Sequence, residues 1–124
     1  MEPLELRDEI PPDDAIIVVR GGLLAADSVR RSATTSMRLH GFFGVSVYAA
    51  IGVTVQELVQ TTPELGADRY RQLRTTTAGT LRQAGFSLLA TEAAPHYDIE
   101  LDDLEETTIR RLEACFGAPF PNPA

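Results

Sequence analysis

Apolar and polar positions change rhythm several times along this chain, and each rhythm predicts an element. Ala15-Ile16-Ile17-Val18-Val19 is an unbroken apolar, largely β-branched run of strand length, the pattern of a central strand covered on both faces. Gly21 and Gly22 end it. From Leu24 to His40 the positions Val29, Ala33 and Met37 recur every four residues, with Asp27 placed to cap and Gly41 to stop, which predicts a helix carrying Arg30, Arg31 and Arg38 off its buried stripe. Phe42 to Ala50 then alternates: Phe43, Val45, Val47 and Ala49 fall on one face of a strand, and Phe42, Ser46 and Tyr48 on the other.

Thr54-Val55-Gln56-Glu57 has capping-box spacing, in which hydroxyl and carboxylate each satisfy a free amide at a helix start, and Thr62-Pro63 places proline at the first position of a further turn. Tyr70 to Thr76 reads as a polar strand. Thr77 caps a short helix through Leu81 to Ala84, stopped by Gly85. Phe86 to Ala90 and His96 to Leu101 form a hairpin around the loop Thr91 to Pro95, with Tyr97, Ile99 and Leu101 inward and His96, Asp98 and Glu100 outward. Asp103 and Glu106 resemble a second capping box, opening a helix that runs through Leu112 and Phe116 to Gly117. The order β-α-β-α-β-α-β-β-α predicts an α+β fold: a single domain over 15–117 with one mixed sheet of about five strands and three to four helices. It is flanked by an acidic, proline-containing arm over 1–14 and a flexible, proline-rich tail over 118–124.

Composition narrows the chemistry. The 124 residues, 44% hydrophobic and 23% charged, suit one domain. One cysteine, Cys115, and no lysine exclude an intramolecular disulfide, cysteine-based metal clusters, a Schiff base and a P-loop lysine. Two histidines and scattered carboxylates give no metal-ligand spacing, the acidic run Glu100 to Glu106 does not match a calcium loop, and no cofactor motif is present. The opening MEPLELRDEI has no basic, then apolar, export pattern and no run of 18 apolar residues occurs, so a cytoplasmic setting without membrane contact is expected.

Charge is unevenly placed. Residues 1–14 sum to −5, residues 15–91 to +4 and residues 92–124 to −6. Guanidinium forks match phosphate oxygens, so the cationic middle suggests a binding domain for an anionic partner: RNA, a nucleotide or an acidic protein surface, with Arg20, Arg71, Arg74 and Tyr97 as binding residues. The competing expectation is that the acidic ends neutralise these arginines locally.

Val18-Val19-Arg20-Gly21-Gly22, Gly44-Val45-Ser46-Val47-Tyr48, Thr75-Thr76-Thr77 through Leu81, Gly85-Phe86 and Pro95-His96-Tyr97 together resemble a group of small actinobacterial proteins, which implies a bacterial, cytoplasmic setting and no particular activity. The order of Arg20, Ser46 and Glu100 (or Glu105) is similar to the arginine, serine, glutamate order of the ADP-ribosyltransferase family. That similarity implies phosphate contact by the arginine, a serine in the nicotinamide pocket and transfer assisted by the glutamate. The second position reads Val45-Ser46-Val47, where the family has Ser-Thr-Ser.

A second toxin-like enzyme reading is a metal-independent ribonuclease. His40 and His96 would exchange protons near neutrality beside Arg71, Arg74 and Tyr97. Each motif also has a structural reading. Arg20 can neutralise a helix end or pair with Asp14, Gly21-Gly22 can be a simple turn, Cys115 can be core packing, and Phe42 with Tyr48 can serve a protein partner.

Overall fold

The run that opens the domain is buried on both faces from Ile17 to Val19, because it lies near the middle of a sheet, while Ile16 at its start is 38% exposed. In the computed structural model, which describes residues 11–20, 24–66, 71–91 and 95–123, β1 (Ile16–Arg20) lies between β2 (Phe43–Ala50) and β3 (Gln72–Thr77). Six strands form one sheet in the order β4-β5-β2-β1-β3-β6, with β4 at Ser87–Leu89, β5 at His96–Leu101 and β6 at Phe120–Pro121. The fold is α+β as expected. The sheet is antiparallel rather than mixed, since every pairing among the described residues runs that way.

Alternation along the strands divides the core in two. Ile17 and Val19 of β1, Val45, Val47 and Ala49 of β2, and Tyr97, Ile99 and Leu101 of β5 join one large cluster. To it α1 (Ala26–His40) adds Val29 and Ala33, α3 (Ala78–Gln83) adds Leu81, and α4 (Glu106–Ala114) adds Ile109 and Leu112. Val18, Ala50 and Leu73 point the other way and pack with Leu58 and Val59 of α2 (Val55–Thr61) and with Leu65 of the 3-10 turn Pro63–Leu65. Because residue period 2 sends neighbours to opposite faces, a strand whose two faces are both covered must be apolar throughout.

Local chemistry sets most boundaries. Glu57 N–H donates to Thr54 Oγ1 at 3.1 Å and Thr54 N–H to Glu57 Oε1 at 3.3 Å, completing the capping box of α2. Thr77 Oγ1 accepts from Thr80 N–H at 3.2 Å at the start of α3. Gly41, at φ 84°, ends α1 by donating to Met37 O at 3.0 Å.

Four expectations change. The buried stripe of α1 is Val29, Ala33, Ser36, not Met37, because steps of four advance about 40° beyond a full turn and two of them rotate Met37 off the stripe. Asp27 lies inside the first turn and Ala25 is the cap position. Asp103 lies two residues before Glu105, the cap of α4, and makes no capping box with Glu106. The proline-rich tail supplies β6, in which Phe120 pairs with Leu73, and Asn122 N–H donates to Arg71 O at 2.9 Å. Of the acidic arm, residues 1–10 lie outside the described residues; Pro11 is buried and Asp13 is held by α3. No helix among the described residues is long and apolar enough to cross a membrane.

Candidate functional site

Of the arginines in the cationic middle of the chain, two are taken by the protein itself: Arg82, and Arg74, which was expected to bind an anion. Arg82 on α3 donates to Asp13 Oδ1 at 2.7 Å and to Pro11 O at 2.6 Å, while Gly79 N–H holds Asp13 O at 2.8 Å. Arg74 on β3 serves the C-terminal end of α4. Its Nε donates to Gly117 O at 2.7 Å and its Nη2 to Phe116 O at 3.3 Å and Glu113 O at 3.5 Å, with Glu113 Oε1 at 3.6 Å from Nη1. Carbonyls at a helix end lack intrahelical donors and carry partial negative charge, so a guanidinium is a fitting partner. Arg74 is therefore a structural clasp and not an open anion site, and its side chain is only 14% exposed.

Elsewhere on the surface, Arg110 pairs with Glu106 one turn before it, and Arg111 lies 4.7 Å over the Phe86 ring. The arginines of α1 differ. Arg31 and Arg38 are exposed and Arg30 is half-buried. None of the three side chains is in an ion pair among the described residues, although Asp27 stands four residues before Arg31. At 100° per residue, Arg31, Thr34, Thr35 and Arg38 share the outer face opposite Val29 and Ser36, with Arg30 at its flank. Thr34 and Thr35 direct their hydroxyls to the carbonyls of Arg30 and Arg31, at 2.7 and 3.1 Å, so they lie along the helix and leave the guanidiniums clear. Met37, 38% exposed, and Leu39, 68% exposed, border the same surface. Arg71, immediately before β3, is exposed as well.

A second polar grouping lies on the strand face that carries Val18. The register sets Ser46 opposite Asp98, Tyr48 opposite His96 and Gly44 opposite Glu100. By alternation Arg20 of β1 shares that face, so Arg20, Ser46, His96 and Glu100 are drawn together there. Sequence reasoning missed that this face is closed over. His96 and Asp98 are buried, at 9% and 4% exposure, where an outward position was expected. Ser46 Oγ donates to Asp98 Oδ1 at 3.5 Å, and Thr91 Oγ1 makes a close hydrogen bond to Asp98 Oδ2. The His96 ring meets Tyr48 edge-on, centroids 5.3 Å apart. Neither Asp98 nor Thr91 stands out in the sequence, because a buried carboxylate in a polar-alternating strand has the same signature as a solvated one.

Other expected partners do not converge. Tyr97 points into the large core cluster, 1% exposed, on the opposite face from His96. His40 ends α1 and stacks on Phe42 at 6.0 Å, beside the first residue of β2, whereas His96 pairs with Tyr48, five residues and about 17 Å further along that strand. The two imidazoles therefore do not face one another across a shared cleft. Glu105 caps α4. Burial raises the Cys115 thiol above its usual range, against an opposing pull from Arg111, and the thiol borders the large core cluster as a packing group. No group of three or more histidine, cysteine or acidic side chains suited to a metal ion occurs among the described residues.

Comparison of the chain with models of known protein families, with curated proteins and with solved structures finds no match.

Proposed function

We propose that this protein is a binding domain whose α1 outer face docks an anionic partner of the phosphodiester type, single-stranded RNA being the reading that the chemistry favours. The observation that supports it is the contrast among arginines. Arg74 and Arg82 are occupied by carbonyls and carboxylates, whereas Arg30, Arg31 and Arg38 stand on one helix with no ion pair among the described residues. Guanidiniums left unpaired in a chain of net charge −7 are placed against the general electrostatic trend. Arginine also suits this partner, since its fork matches phosphate oxygens and its plane stacks on bases. The exposed Met37 and Leu39 offer apolar contact beside it. An acidic protein surface would use the same charges but has less use for the planar fork.

The test is fluorescence anisotropy of a labelled single-stranded RNA against the intact protein and the triple variant R30A/R31A/R38A. The triple variant is expected to bind at least tenfold more weakly, while R110A, which removes an exposed arginine already paired with Glu106, binds like the parent. Equal affinity of the triple variant and the parent would overturn the proposal.

A further inference from the structure

At the β3 edge of the sheet the chain holds an extended segment of itself, residues 119–123, by the two devices with which sheet edges recognise peptides: main-chain pairing and alternate side chains. Phe120 pairs with Leu73 and Pro121 with Gln72, and Asn122 N–H donates to Arg71 O at 2.9 Å. The Phe120 side chain packs against the smaller core cluster, which contains Leu65 and Leu73, and Asn122 Nδ2 donates to Leu65 O at 2.7 Å. Pro119, Pro121 and Pro123 alternate with these two residues and are exposed. Because Asn122 directs its backbone at β3, the period of 2 turns that of Pro121 away, where a missing N–H costs no ladder bond. The edge therefore reads an aromatic ring and an amide with a proline between them.

The segment departs from a fixed post. Gly117 N–H donates to Thr75 O at 2.9 Å and Gly117 O accepts from Arg74 Nε at 2.7 Å, whereas Ala118 and Pro119, the link to Phe120, are exposed and lie in no helix or strand. The strand beyond that link is two residues long. Proline also holds a released segment near the extended conformation in which it docks, so little order has to be regained on binding.

We propose that this edge is a docking site for extended peptides of the pattern aromatic-proline-asparagine, with residues 119–123 as its resident occupant, which a partner's segment of the same pattern displaces. The seated segment demonstrates both the room and the contacts: an apolar seat for a ring, the carbonyls of Leu65 and Arg71 for an asparagine, and solvent over the prolines. The site lies on the α2 side of the sheet, opposite the face that α1 covers, and is independent of the RNA reading.

The experiment titrates a fluorescently labelled peptide with the sequence of Ala118 to Pro123 against the full chain and against the full-chain variant F120A/N122A, which disables the resident occupant and leaves the edge unaltered. A tethered occupant competes at an effective concentration on the order of millimolar, so the parent should bind the peptide weakly and the variant saturably, at least tenfold more tightly. The same peptide carrying Phe120→Ala should not bind the variant. Hydrogen exchange on the parent gives a second readout should the variant fail to fold. After correction for intrinsic rates, Asn122 N–H should exchange at least tenfold faster than Gly117 N–H, since the segment opens while its post stays closed. No saturable binding by the folded variant, equal affinity of parent and variant, equal binding of the alanine peptide, or a single exchange rate for Asn122 and Gly117 overturns the proposal.

Discussion

A Cβ on Gly44 would lie 2.6 Å from Ser36 Oγ and 2.8 Å from the Phe42 ring, closer than side-chain carbons approach other atoms. The glycine therefore lets α1 and β2 meet, with Ser32 Oγ 3.4 Å from Gly44 O across the same contact. Gly44→Ala should destabilise the fold by about 1–3 kcal/mol, seen as a lower urea midpoint with an unchanged slope, because the contact is crowded by a buried hydroxyl and a ring. Asp103 has a different role. Its Oδ1 accepts from Thr108 Oγ1 at 2.6 Å and from Glu105 N–H at 2.9 Å, and these bonds, Thr108 first, hold its carboxyl below the ordinary 3.8. A depressed carboxylate stabilises the fold above its unfolded pKa and ceases to do so as the pH falls through the folded value. The melting-temperature gap between the parent and Asp103→Ala should thus be constant above about pH 5 and shrink below 3.8. A gap that stays the same down to pH 2 would contradict that role. Neither residue announces itself in the sequence: Gly44 reads as one more small residue in a strand, and Asp103 reads as a cap two positions too early.

At the scale of elements, what the sequence made legible was whatever depends on near neighbours. Alternation in β2 and β5, the Thr54 and Thr77 caps, and the Gly41 and Gly85 stops all follow from residues within a turn or two of each other, and all are present. What was not legible depends on distant chain. β6 is two residues long, with proline at its second position, and becomes a strand only because Leu73 offers an edge and Asn122 Nδ2 reaches Leu65 O at 2.7 Å. Arg74 likewise reads as a free cation until α4, some forty residues later, ends beside it. Removing that side chain leaves the carbonyls of Phe116 and Gly117 without this charged donor. Arg74→Ala should cost about 1.5–3 kcal/mol in chemical denaturation. A loss within experimental error would show that water serves those carbonyls equally well.

At the scale of the molecule, the uneven charge seen along the chain is partly resolved in space. The acid Asp13, at the base of the N-terminal arm, neutralises Arg82, and the C-terminal acids Glu113 and Glu106 meet Arg74 and Arg110, as local pairing predicts. The arginines gathered on α1 escape that pattern. The candidate site was thus half legible: the sequence pointed to arginine, but only the topology separates those serving helix ends from those facing outward. Ser46, His96 and Glu100 were likewise visible as polar positions, while their grouping with buried Asp98 required the β2–β5 register.

The salt dependence of RNA binding tests the α1 assignment most directly. Three phosphate contacts on single-stranded RNA correspond to a slope of about −2 in log K against log salt. We predict that slope for the parent protein, with each of R30A, R31A and R38A reducing its magnitude by about 0.7. Binding that is insensitive to salt, or a slope unaltered in all three variants, would contradict it.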